Sequence, residues 1–202
     1  CSFAKVMVGD SEMYEFDIER LSPEQRAMVE LWEAHLAAEF ETKDADASCG
    51  TMTEVPYVNH VPTITGGVGH QQLNHFYDRY FIPNMPDDLE MEMITRTVGL
   101  DRIVDEFVIR CTHTVEMFWL LPGVAPTGRR LEFVVVVIVC FEEGKMSEEH
   151  IHWDQASVLV QAGLIDPENL PVAGAEAARK MLDRNSVPSN ALIKRTVSDE
   201  LL

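Results

Sequence analysis

His150-Ile151-His152-Trp153-Asp154-Gln155 follows the turn Glu142-Glu143-Gly144-Lys145-Met146, and that turn follows the most apolar run of the chain, Leu131 to Phe141. Side chains alternate faces along a strand. On this reading His150, His152 and Asp154 share one face, and Ile151 and Trp153 take the other. Two imidazoles and a carboxylate beside an apolar neighbour must be paired, hydrated or used. Leu131 to Glu142 is apolar on both faces, which makes it a central strand, with Lys145 to Asp154 as its hairpin partner.

Working upstream, Leu121 to Gly128 reads as a loop, and Ile103 to Phe118 as a long strand. One face of that strand carries Asp105, Phe107, Ile109, Cys111 and His113; another alternating stretch begins at Leu89. Earlier still, Val68 to Phe81 reads as a helix stopped by Pro83 and Pro86. Val55 to Val61 contains Pro56, which cannot donate to a ladder, so it is expected at a sheet edge or in a loop. Ser22-Pro23-Glu24-Gln25 has the form of a capping box. It opens a helix whose apolar positions include Val29, Trp32, Leu36 and Phe40, followed by a loop from Asp46 to Gly50. Downstream, Ala156 to Gln161 and Ala173 to Leu182 read as short helices. Two helices followed by a meander of long strands is an α+β order. A strongly bent antiparallel sheet wrapped over the N-terminal helices makes a cone whose mouth is a natural pocket.

Composition bounds the partners. With 16 Lys and Arg against 34 Asp and Glu, the net charge is −18. That argues against nucleic acid and anionic membrane surfaces, which both need clustered bases. No apolar run is long enough to be a membrane helix. The four cysteines (Cys1, Cys49, Cys111 and Cys140) fit neither a zinc motif nor a disulfide framework, which suits reduced thiols in the cytoplasm. Cys1 in place of Met reads as a trimmed start.

Four stretches give the chain a resemblance to a known family. They are Tyr57-Val58-Asn59-His60 followed by Gly66-Gly67; the strand ending Cys111-Thr112-His113; Pro126-Thr127-Gly128-Arg129; and Glu143-Gly144-Lys145-Met146 leading to Trp153-Asp154 and Leu159 to Leu164. In order and spacing they resemble the SnoaL-like (polyketide cyclase-like) branch of the nuclear transport factor two-like superfamily. The resemblance spans residues 22–165, leaving an N-terminal arm, 1–21, and a C-terminal helix and tail, 166–202. It implies a cone-shaped fold, a homodimer, and a pocket acid/base carboxylate where Asp154 stands.

The expected chemistry follows from the face drawn above. Asp154 is expected to face the cone interior as a proton shuttle, since an apolar pocket raises a carboxyl pKa. His152 and His113 are the expected catalytic companions, with Tyr57, His60, His150 and Trp119 contacting substrate; His60 is expected on a loop rimming the pocket. The bland alternative for Asp154 is a helix cap. The expected function is a cyclase, isomerase or hydratase acting on a small, apolar, carbonyl-bearing molecule, with no cofactor and no metal. The alternatives are a non-catalytic ligand-binding or dimerisation module, and a metal-dependent hydrolase or lyase built on His150, His152 and His113.

Overall fold

A computed structural model describes residues 18–197; the sequence expectations for Cys1 and for most of the N-terminal arm fall outside them. Helix α1 (Pro23–Phe40) begins as the capping box demands. Ser22 Oγ accepts from the Gln25 amide at 3.2 Å, and Gln25 Oε1 accepts from the Ser22 amide at 3.0 Å. Asp44 caps a further short helix, α2 (Ala45–Gly50), where a loop was expected. After β1 (Met52–His60) and β2 (Thr65–Val68), helix α3 (Gly69–Phe76) continues through a π turn and a 3-10 turn to Asn84. The remaining strands are β3 (Glu90–Val98), β4 (Arg102–Thr112), β5 (Arg130–Glu142) and β6 (Lys145–Trp153). Three short helices follow: α4 (Gln155–Gln161), α5 (Glu176–Leu182) and α6 (Ala191–Lys194).

The six strands form one curved sheet in the order β2-β1-β6-β5-β4-β3, so the doubly apolar β5 is indeed interior. All pairs are antiparallel except β1 with β6. That exception corrects the reading of residues 55–61. The stretch is not an edge, because β2 hairpins back outside it. Pro56 is tolerated because it falls in a register break, between Met52 and Tyr57, where no ladder bond is needed. The hairpin also needs Gly66: its φ is 130°, and a Cβ there would collide with the Val58 carbonyl. The strand expected to run to Phe118 stops at Thr112, and the chain turns back through Gly128 to start β5.

Helix α1 packs against β4 and β6. A buried polar tie fixes it: Trp32 Nε1 donates to Asp105 Oδ2 at 2.8 Å, and Arg96 clamps the same carboxylate at 2.8 and 2.7 Å. An Arg fork on a carboxylate is a strong, oriented pair, and here it satisfies a charge that would be costly if left alone. The core is continuous from Trp32 and Leu73 through Phe107 and Leu131 to Trp153. No helix of the described residues is long and apolar enough to cross a membrane.

Candidate active site

The faces of β6 run opposite to the expectation. Glu149, Ile151 and Trp153 are buried, while His152 and Asp154 are exposed and His150 is only half-buried. Trp153 and Ile151 carry the larger apolar areas, and burying them turns the histidines outward. Asp154 is therefore corrected from an interior carboxylate to a surface cap. Its Oδ1 accepts from the Ala156 and Ser157 amides at 2.9 and 3.2 Å, holding the start of α4. His150 and Tyr57 meet edge-on at 5.6 Å on the outer face, away from the cavity. His113 is buried at the end of β4, where its Nδ1 accepts from the Thr127 amide at 3.3 Å. Burial lowers its pKa, and it does not line the interior cavity.

Two expected residues do reach the interior. His60 ends β1 rather than sitting on a rim loop, and it is buried among Phe76, Phe81, Trp119 and Trp153, with centroids 5.5–5.9 Å away. A carbonyl only accepts, so the contact of Nδ1 with the Thr65 carbonyl at 3.2 Å places a proton on Nδ1. Burial lowers the His60 pKa to about 4, keeping the ring neutral. Trp119 lies against it as a wall of the same cavity.

The polar part of that cavity was not anticipated. It comes from Glu39 on α1 and Glu149 on β6, in a wall otherwise built from side chains such as Phe40, Phe107, Val135 and Ile151. Behind them sits His35, fully buried. The Thr51 hydroxyl gives its hydrogen to the Ser48 carbonyl at 2.7 Å. His35 Nδ1, 2.8 Å from Thr51 Oγ1 and 3.2 Å from Ser48 O, must therefore carry the donating hydrogen. Its Nε2 faces Glu39 Oε1 at 3.1 Å, the Tyr77 hydroxyl at 3.4 Å and Glu149 Oε2 at 3.8 Å. Helix spacing of four residues brings His35 and Glu39 together.

Two carboxyls and an imidazole in so small a buried volume cannot all ionise independently. Burial, reinforced by the charge of Glu39 and only partly opposed by His35, raises the Glu149 carboxyl to about 8. Burial works against the His35 imidazolium, but the adjacent Glu39 and Glu149 outweigh it, and the net shift is upward. Tyr77 is pushed well up by burial and the same carboxylates. The cluster therefore holds its protons above the usual range on both His35 and Glu149, with His35 Nε2 set against Glu39. The Glu149 carboxyl makes no hydrogen bond to any described residue.

Among the described residues, His35, Glu39 and Glu149 also have donor atoms within 4.8 Å of one another, close enough to hold a divalent cation. The His-x-His alternative loses its geometry, since His150 and His152 face out and His113 does not join them. A larger concavity, about 590 Å³, is an open polar groove between α2 and α3, lined by residues such as Asp46, His70 and Arg79. The interior cavity has only about 50 Å³ of free space. It is nevertheless the better site, because there the ionisable groups are desolvated and the walls are apolar.

The signal for this cluster was present in the chain. His35 and Glu39 stand three and seven residues after Trp32, on the apolar stripe of α1. Glu149 keeps step with Ile151 and Trp153. Polar residues in phase with a core face are the ones to weigh first.

Comparison with known proteins supplies the family. The family model for SnoaL-like polyketide cyclases matches residues 25–162. No curated protein sequence matches the chain. Among solved structures, TsrD from Streptomyces laurentii superposes with a TM-score of 0.54 at 16% identity, covering 75% of this chain and all of its own. A SnoaL-like protein from Jannaschia superposes at 0.53 with 18% identity, covering 72% of this chain and 98% of its own. A Bacillus cereus protein, named as a candidate polyketide cyclase, gives 0.53 at 17% identity, covering 73% and 89%. At such identities these likenesses speak to the fold.

Proposed function

The chain belongs to the SnoaL-like polyketide cyclase family, and on that premise we propose that it is a small-molecule enzyme in which Glu149 moves a proton at the carbon beside a carbonyl. One observation carries this reading. The cone interior holds a carboxyl raised to about 8, which faces an apolar cavity and is left without a hydrogen bond among the described residues. A proton-transfer group works best when its pKa lies near the operating pH, because both forms are then populated. As carboxylate, Glu149 takes the proton next to the substrate carbonyl; as acid, it returns that proton to carbon or to oxygen. Burial raises the Glu149 pKa, with Glu39 adding to the shift and His35 opposing it. The apolar wall favours a substrate with a hydrocarbon body. Ring closure of the aldol type and double-bond shift both begin with this step.

The test uses hydrogen exchange at an enolisable ketone. The chain is incubated with cyclohexanone in D2O, and loss of the α-hydrogen signal is followed by NMR. Exchange above the buffer rate is expected, with Glu149→Gln slower by roughly 10²–10⁴. Binding without exchange in the wild type would make the chain a ligand-binding module. Exchange that survives Glu149→Gln would move the role elsewhere.

A further inference from the structure

The three tryptophans are treated differently. Trp32 Nε1 donates to Asp105 at 2.8 Å, and Trp153 Nε1 donates to Gln155 Oε1 at 2.6 Å. Trp119 Nε1 is buried and has no hydrogen-bond partner among the described residues. Its residue is 4% exposed and lines the same cavity as Glu149. A buried indole N–H normally finds an acceptor, and an unpaired one is a standing cost. Packing alone does not require that nitrogen, since phenylalanines serve nearby at positions 81 and 133. Nor is the residue loosely held. The Thr63 and Thr65 hydroxyls donate to its backbone carbonyl at 2.7 and 3.3 Å, while Phe81 and Trp153 contact the ring at 65° and 84°. The result is a firmly held, unpaired donor on a residue that lines the same cavity as the Glu149 carboxyl.

We propose that the Trp119 indole N–H binds the carbonyl oxygen of the substrate. This rests on the proton-transfer reading above for its consequence, and on the unpartnered donor for its geometry. When Glu149 withdraws a proton from the carbon beside the carbonyl, the electron pair moves onto the oxygen. A fixed donor that reaches that oxygen stabilises the developing enolate. Trp119 then selects for ligands that present an acceptor and against hydrocarbons of equal shape, because only an acceptor relieves the unpaired N–H.

The test separates recognition from turnover. The full chain, labelled with nitrogen-15, is titrated with cyclohexanone and with methylenecyclohexane, which replaces the oxygen by a carbon. The indole N–H signals are watched, and Trp119→Phe assigns the Trp119 peak. The Trp119 signal is expected to move downfield with the ketone and to stay in place with the hydrocarbon. Trp119→Phe is expected to weaken the ketone by about fivefold, the worth of one hydrogen bond, and to leave the hydrocarbon unchanged. The proposal is overturned if the Trp119 signal ignores the ketone at millimolar concentration or follows both ligands equally. It is also overturned if Trp119→Phe weakens both alike. Should the variant fail to fold, the shift in the wild type, with the peak assigned by sequential NMR connectivities, decides alone. The indole shift is read in the wild type and needs no turnover, whereas α-hydrogen exchange needs no indole shift, so the two readings can fail separately.

Discussion

Replacing Glu149 by Gln should change how stability depends on pH, and the size follows from the cluster. The Glu149 carboxyl goes from an ordinary 4.5 to about 8 in the folded chain. Between those values the folded protein keeps a proton that the unfolded chain has lost, so stability falls as pH rises through this window. One extra proton bound corresponds to a slope of about 1.4 kcal/mol per pH unit. From pH 5.5 to 8 the wild type should lose about 3 kcal/mol through this group. Gln does not titrate, and at pH 5.5 it replaces a neutral carboxyl of nearly the same shape. The variant should match the wild type at pH 5.5 and exceed it by about 3 kcal/mol at pH 8. His35, raised above its ordinary value, contributes stability present below 6.5 and lost as pH rises through its folded pKa. Its share persists in part in the variant, so the difference between the proteins is the quantity to read. With a urea slope of about 2 kcal/mol/M, the midpoints should separate by roughly 1.5 M at pH 8. Midpoints of the two proteins that coincide at pH 8, or that differ by the same amount at pH 5.5 and pH 8, would refute the reasoning.

Other substitutions and treatments follow from the same geometry. Asp154→Ala removes the cap of α4 and should cost about 1 kcal/mol, with Asp154→Asn close to wild type; ketone exchange should be unaffected in both, and a large loss in the Asn variant would return Asp154 to the chemistry. Dialysis against EDTA should leave the exchange rate unchanged, whereas a loss restored by zinc would make His35, Glu39 and Glu149 a metal centre. The outer face of β5, with Val134, Val136 and Ile138 only half-buried, suits a second copy of the chain, so sedimentation at micromolar concentration should give twice the 22.8 kDa chain mass; a monomer alone would sink that expectation.

The element order and the central place of β5 were legible because they rest on runs of period and on a strong cap. What misled was phase. A strand reads equally well with either face inward until the apolar weight of Trp153 and Ile151 is set against the chemical appeal of His150, His152 and Asp154. The first expectation followed the chemistry, and the fold followed the area. The placing of Pro56 failed for a related reason, since a register break inside a sheet leaves no local mark beyond the proline itself. His35 and Glu39 were readable on α1 as polar intrusions in a core stripe. Their union with Glu149 was not, because it joins residues more than 100 positions apart across the cone.

The most direct measurement is the titration of Glu149 itself. Carbon-13 labelling of the glutamate carboxyls, with Glu149→Gln to assign the signal, reads its protonation by NMR as pH is raised. The proposed role requires a midpoint near 8, from burial beside Glu39. A midpoint below 5 would mean an ordinary ionised carboxylate, and the interior of the cone would lose its acid.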